Sequence, residues 1–142
     1  MGNREIKKPK LNAGKQIRLS DESLLRDPSI DYPVFCFRYL DEKFGFNNCS
    51  TEDKVALIER LAKLSKLSWN QIKLSNRHSF GTEQIPMKQI QSNRPSFVSD
   101  DVNSFLAFRF NKLAPFLGHR NGSVFHIIWI DSKFSLYDHG SK

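Results

Sequence analysis

Residues 124–130 read VFHIIWI, and this run of β-branched and aromatic side chains predicts a central strand of a sheet. The dipeptide Asn121-Gly122 stands just before it, and Asn-Gly is the strongest short-range signal for a β-hairpin. On the other side of this turn, residues 116–120 are predicted to form the partner strand. Residues 103–111, NSFLAFRFN, alternate between two faces and predict a further strand. The C-terminal third of the chain therefore predicts an antiparallel meander.

Weaker strand signals lie outside these segments. Residues 34–40, VFCFRYL, predict a first strand, and residues 134–137 predict a short last one. Residues 76–102 are predicted to be mostly irregular because glycine and proline residues break any long element. In this region, a short strand around Ile85 is the one regular element that remains possible.

Two helices are predicted between the first strand and the meander. Ser50 caps the first helix, and Asp53 lies in its first turn, where the helix dipole favours a carboxylate. This helix is expected to extend to about Lys66. Ser68 begins a second capping box and a shorter helix that ends near Leu74. The core stripe of the first helix is predicted to consist of Val55, Ile58, Leu61 and Ala62.

This order of elements indicates the fold class. Helices that precede a run of neighbouring strands are typical of an α+β fold with an antiparallel sheet. The predicted order is one strand, two helices and then a meander of three to four strands, with the first strand at an edge or inserted. Residues 34–142 are expected to form a single domain, and residues 1–33 a basic, mostly irregular leader.

Positive charge is concentrated in that leader. The net charge of the chain is +7, and residues 1–19 contribute +5 through six basic residues and one acidic residue. A basic tail attracts polyanions such as RNA without sequence specificity. The alternative interpretation is a solubilising disordered leader.

Several classes of protein are disfavoured because their motifs are missing from the sequence. The sequence has no apolar run long enough to cross a membrane and no secretory signal, so we expect no membrane contact. Cys36 and Cys49 are too few for a disulfide framework, and a cytoplasmic protein is expected. Phosphate-binding glycine loops, zinc spacings and the GxSxG motif are also missing, so no cofactor and no metal are predicted.

Chemistry is expected in a C-terminal cluster of basic and aromatic residues. Cleavage of RNA by its own 2′-hydroxyl requires one group that takes a proton, another that donates one, and cations that stabilise the phosphate. This route requires no metal. A second small group of polar residues lies in a loop. The C-terminal cluster comprises Arg109, Lys112, His119, Arg120, His126, Lys133, Tyr137 and His139, and the loop group comprises Arg77, His78, Gly81 and Glu83.

Each of these residues also has an interpretation without a catalytic role. Arg109 can be a surface residue on an open face of the sheet, and His126 a satisfied histidine of the core or an edge. His119 and Arg120 can be exposed residues of the hairpin turn. Tyr137 can pack its ring on the sheet. The clustering, rather than any single residue, is therefore the signal.

The segment from Gly118 to Tyr137, GHRNGSVFHIIWIDSKFSLY, resembles the ending of RelE/YoeB-type toxins of the RelE/ParE superfamily. In these toxins an Arg-bearing strand is followed by a hairpin, an apolar strand and a last strand that contains a tyrosine. The similarity in element order covers about residues 34–140, and its specific part is limited to about residues 104–139. The resemblance implies an mRNA endonuclease that acts on translating ribosomes without a metal and is restrained by an antitoxin.

Residue roles are implied by position in that resemblance. Arg109 and Arg120 match the basic residues that hold the scissile phosphate. Tyr137 matches the aromatic residue that orients a base, and His119 or His139 is the proton-transfer group. The leading hypothesis is a toxin-like endoribonuclease whose catalytic residues share one concave site. A non-catalytic nucleic-acid- or ribosome-binding protein and a protein-interaction module are the alternatives, and they do not require that convergence.

Overall fold

The computed structural model describes residues 31–77 and 79–138. The leader up to residue 30, His78 and His139 therefore lie outside the described residues. Five strands form one sheet in the order β1-β5-β4-β3-β2. The strands are β1 (Val34–Cys36), β2 (Glu83–Pro86), β3 (Ser104–Asn111), β4 (Ala114–Asn121) and β5 (Val124–Ile130), and the helices are α1 (Thr51–Leu64) and α2 (Trp69–Leu74). Short 3₁₀ helices occupy Phe46–Asn48 and Met87–Gln89.

The α+β class is confirmed, but the sheet is mixed rather than a pure antiparallel meander. Strands β3 to β5 are antiparallel neighbours, as predicted, and the short strand β2 around Ile85 pairs antiparallel with β3, whereas β1 pairs with β5 in parallel. Parallel pairing requires a long crossover connection. The chain between these two strands supplies one, since it contains both helices and the other three strands.

Two predicted strand boundaries are wrong because local hydrogen bonds divert the backbone. The first strand ends at Cys36 rather than residue 40, and the Leu40 N–H donates to the Phe37 carbonyl at 3.1 Å in a turn. Residues 134–137 do not form a strand. The buried Asp131 carboxylate instead accepts the backbone N–H groups of Ser135 at 2.8 Å and Leu136 at 3.0 Å.

The helix starts are confirmed, whereas three of the four residues predicted as the core stripe of α1, Val55, Ile58 and Ala62, are exposed. Ser50 with Asp53 and Ser68 with Gln71 form complete capping boxes. Val55 and Ile58 are 51% and 57% exposed, and α1 instead buries a second stripe at helical spacing. That stripe is Leu57, Leu61 and Leu64, which pack beneath the sheet. Both stripes satisfy helical periodicity, so the packing partner decides between them.

The sheet separates two hydrophobic clusters. On the helix side, Phe108, Phe116 and Phe125 pack with Trp69 of α2. The opposite side carries a cluster that includes Phe105, Ala107, Leu117, Ile128, Trp129, Leu136 and Tyr137. Side chains that alternate along each strand therefore enter different environments. No helix of the described residues is long and apolar enough to span a bilayer.

A β-bulge between β4 and β5 sets the positions of the residues beyond it. Leu117 lies opposite Trp129 and Gly118 opposite Ile127, so Ile128 is the extra residue of β5. A Cβ atom at Gly118 would lie 1.9 Å from the backbone oxygen of His126. The close approach of the two strands at this point requires glycine.

Candidate functional site

Two histidines are cross-strand neighbours directly beyond the bulge. His119 of β4 is the register partner of His126 of β5, and both side chains are partly buried. They lie on the sheet face that is opposite the helices. Directly opposed residues in an antiparallel pair have Cβ atoms about 4.5–5.5 Å apart. The hairpin therefore holds two imidazoles at the separation of neighbouring side chains.

These histidines line an open pocket of about 240 Å³. Its polar and aromatic members come from the hairpin, from the turn after β1 and from the loop before β3. The lining residues are Tyr39, Phe97, Val98, Ser99, Val102, His119, Asn121 and His126. Binding sites for drug-sized ligands are about 300–1,000 Å³. The smaller volume suits a single planar group, such as one nucleobase, better than a large cofactor.

Aromatic rings form one wall of the pocket. The Tyr39 and Phe97 rings are stacked, with centroids 4.0 Å apart and an interplanar angle of 18°. The Tyr39 ring also contacts the His126 ring, at 5.3 Å between centroids. Arg38 places its guanidinium carbon 5.7 Å from the Tyr39 ring centroid. The wall therefore combines stacked aromatic rings and an imidazole, and a cation lies against its tyrosine.

The loop that carries part of this wall is fixed by two hydrogen bonds from one arginine. Arg94 Nη1 donates to the backbone carbonyls of Ser99 at 2.9 Å and Val102 at 2.8 Å. Charge-assisted hydrogen bonds of this kind are stronger than neutral ones. Arg94 does not line the pocket, but its side chain holds the loop in place beside the histidines.

One atom of the pair lacks a partner in the described part of the chain. His126 Nδ1 is buried and makes no hydrogen bond. Buried polar atoms are nearly always satisfied, and an exception beside a pocket is typical of a site that is completed by water or a ligand. The atom belongs to a residue that lines the pocket, which makes this pocket a candidate binding site.

Arg109 and Tyr137 meet at a different place on the same sheet face. Arg109 Nη1 donates to Tyr137 Oη at 3.4 Å and to the Leu113 carbonyl at 2.9 Å, and Nη2 contacts Glu83 Oε1 at 2.8 Å. Glu83 also pairs with Arg77 at 3.2 Å. Burial raises the pKa of the Tyr137 phenol above its ordinary value of 10.0, although the positive charge of Arg109 opposes this shift. The Arg109 guanidinium is therefore bonded to the Glu83 carboxylate and to a backbone carbonyl within the protein.

Substituting Arg109 is expected to lower the free energy of unfolding more than substituting Arg77, which also pairs with Glu83. Arg109 has a side chain 10% exposed and three partners, whereas Arg77 is 53% exposed. We expect Arg109→Gln to lower the free energy of unfolding by about 2 kcal/mol because it leaves partly buried acceptors unpaired. Arg77→Gln, the matched control, is expected to cost less than about 1 kcal/mol. Urea denaturation measures both, and equal costs would contradict a structural role for Arg109.

The four residues predicted to share one catalytic site are not all brought together; they are Arg109, His119, Arg120 and Tyr137. Arg120 lies on the helix side, with its guanidinium carbon 4.2 Å from the Trp69 ring centroid and Nε bonded to the Gly122 carbonyl at 2.7 Å. Arg109 and Tyr137 form one cluster, and His119 forms another with His126. The alternation of side chains across strand β4 separates His119 from Arg120.

The accessory residues are also dispersed among the described elements. Lys112 is exposed in the turn between β3 and β4, at φ 56°, and Lys133 is exposed in the turn after β5. Glu83 belongs to the Arg109 cluster. Sequence analysis missed Tyr39 and Phe97, whose residue types have no periodicity in a turn and a loop. The aromatic content of both segments was the available signal.

No family, curated protein or solved structure matches the chain. Within the described ranges, no three His, Cys, Asp or Glu side chains are grouped so that they could hold a metal ion. Function is therefore argued from the pocket and its two histidines.

Proposed function

We propose that the protein is an endoribonuclease that cleaves RNA with His119 and His126 as its acid–base pair. The observation that carries the proposal is the placement of two cross-strand neighbouring histidines in a pocket with an aromatic wall. Imidazole is the side chain best suited to accept and donate protons near neutral pH. The remaining candidates, Arg109 and Tyr137, act in this proposal as structural residues of the same sheet face.

The proposed reaction is phosphoryl transfer to the neighbouring 2′-hydroxyl. One imidazole takes the proton of the 2′-hydroxyl, and the 2′-oxygen forms a new bond to phosphorus. The bond from phosphorus to the 5′-oxygen breaks, and the second imidazole gives its proton to that oxygen. The products are a 2′,3′-cyclic phosphate and a 5′-hydroxyl, and the pair has moved one proton from one ring to the other. The substrate itself supplies the nucleophile, so this route requires no metal.

The biological setting of the proposal comes from the resemblance to RelE/YoeB-type toxins. We place the activity on mRNA, at the ribosome, in a toxin–antitoxin or defence context within the cytoplasm. An acidic antitoxin is the expected protein partner, because a chain with net charge +7 attracts acidic surfaces.

The chemistry is tested with two short RNAs of one sequence, one unmodified and one with a 2′-deoxy nucleotide at the mapped cleavage position. We expect the purified protein to cut the first RNA, to leave the second uncut at that position and to remain active in EDTA. Mass spectrometry should identify 2′,3′-cyclic phosphate and 5′-hydroxyl ends. Cleavage at the deoxy position, or products with 3′-hydroxyl and 5′-phosphate ends, would contradict the mechanism.

A non-catalytic RNA-binding function is the second candidate. The exposed aromatic stack and the net charge of +7 favour it, since base stacking and phosphate attraction suffice for binding. A protein of this kind binds RNA without cutting it, and its affinity for RNA falls steeply as the salt concentration increases.

A further inference from the structure

We infer that Tyr39, Phe97 and Arg38 form a subsite for one unpaired nucleotide, so that the substrate class is single-stranded RNA. The inference rests on the proposed function and names the substrate of the same pocket. It concerns binding, and its residues are distinct from the two histidines.

The aromatic part of the subsite is an incomplete stack. Tyr39 covers one face of Phe97 at 4.0 Å, yet Phe97 remains 43% exposed. A large aromatic side chain with this exposure in a loop contributes little to the core. An incoming base extends the stack by a further layer, and stacking of this kind tolerates any of the four bases.

The cationic part of the subsite lies on the same tyrosine. Arg38 is exposed and holds its guanidinium against the Tyr39 ring at 5.7 Å, while His126 contacts that ring from within the pocket. A guanidinium is suited to bind phosphate oxygens through paired N–H groups. A base on Phe97, a phosphate near Arg38 and a sugar near the histidines therefore fall within one continuous contact surface.

The stack on Phe97 disfavours a base that remains in a duplex. The open pocket lies between the hairpin and the loop before β3, and its volume of about 240 Å³ is small for a double strand. A paired base has both faces covered by its neighbours, so it reaches Phe97 only after it leaves the stack. Unstacking has an energetic cost that an already single-stranded base does not incur.

The test measures binding without cleavage. The probe is a short 2′-O-methyl RNA, single-stranded or annealed to its complement, and fluorescence anisotropy gives the dissociation constant. We expect Phe97→Ala to weaken binding of the single strand at least about fivefold, which corresponds to the lower limit for one stacked base. Phe97→Tyr should retain wild-type affinity, and the duplex should bind at least about tenfold more weakly than the single strand.

Phe134→Ala is the matched control, because Phe134 is also an exposed phenylalanine but lies in the turn after β5. Equal effects of Phe97→Ala and Phe134→Ala, or equal affinity for duplex and single strand, would overturn the subsite.

Arg38→Ala should reduce the salt dependence of binding by about one phosphate contact. Phe97-dependent binding without any cleavage of unmodified RNA would overturn the nuclease and leave the subsite standing. Cleavage that Phe97→Ala leaves unchanged would overturn the subsite and leave the nuclease standing.

Discussion

Gly118→Ala is expected to lower the free energy of unfolding by at least about 3 kcal/mol, near the upper end of what overpacking costs. The new Cβ atom would lie 1.9 Å from the His126 backbone oxygen and 2.9 Å from the Phe125 ring. The first of these neighbours is backbone, so relief requires β4 and β5 to separate. Strand β4 is the central strand of the sheet, and β4 and β5 carry the two histidines. Circular dichroism during thermal and urea denaturation measures the loss.

Gly122→Ala provides the control in the same hairpin. Gly122 has φ of +66°, and a Cβ atom there would meet nothing within 4 Å. The only cost is the left-handed conformation, about 1 kcal/mol. A smaller loss for Gly118→Ala than for Gly122→Ala would contradict the close strand approach at the bulge.

Features that depend on a few neighbouring residues could be predicted from the sequence. The hairpin follows from the left-handed conformation of Gly122, although Asn121 ends β4 and the two turn residues are Gly122 and Ser123. The two capping boxes follow from side chains three residues apart. The alternation in β3 likewise assigned Phe108 and Arg109 to opposite faces. Each of these features is decided by short-range geometry.

Features that depend on distant parts of the chain could not be predicted. The segment VFCFRYL does not indicate that β1 pairs with β5 in parallel, because the composition of a strand does not determine its pairing partner. Two apolar stripes of α1 fit the helical period, and only the sheet beneath the helix selects Leu57 over Ile58.

The candidate site was only partly predictable for the same reason. His119 and Tyr137 were identified as chemically capable residues, but strand register sets the neighbours of His119, and the packing of the segment after β5 sets those of Tyr137. The bulge at Gly118 places His119 opposite His126, and one-residue alternation sends Arg120 to the helix side. Tyr39 and Phe97 reach the pocket from two loops whose meeting is a tertiary event.

The largest expected effect on activity is the loss of either histidine of the pair. We expect His119→Gln and His126→Gln each to reduce the RNA cleavage rate by about 10²- to 10⁴-fold, the usual contribution of a positioned general acid or base. Glutamine preserves polarity at partly buried positions, so the fold should persist. Urea denaturation of each variant and of wild type checks this, and binding of 2′-O-methyl RNA checks that the pocket still admits its ligand.

The double variant decides whether the two rings act as one unit. Residues that share a proton-transfer step have non-additive effects, so the double variant should be little slower than the slower single variant. Lys66→Ala removes an exposed cation just beyond the end of α1 and should leave the rate unchanged. A double variant that binds and cleaves RNA at the wild-type rate would contradict acid–base catalysis by the pair. Losses that multiply would indicate that the two histidines act in separate steps.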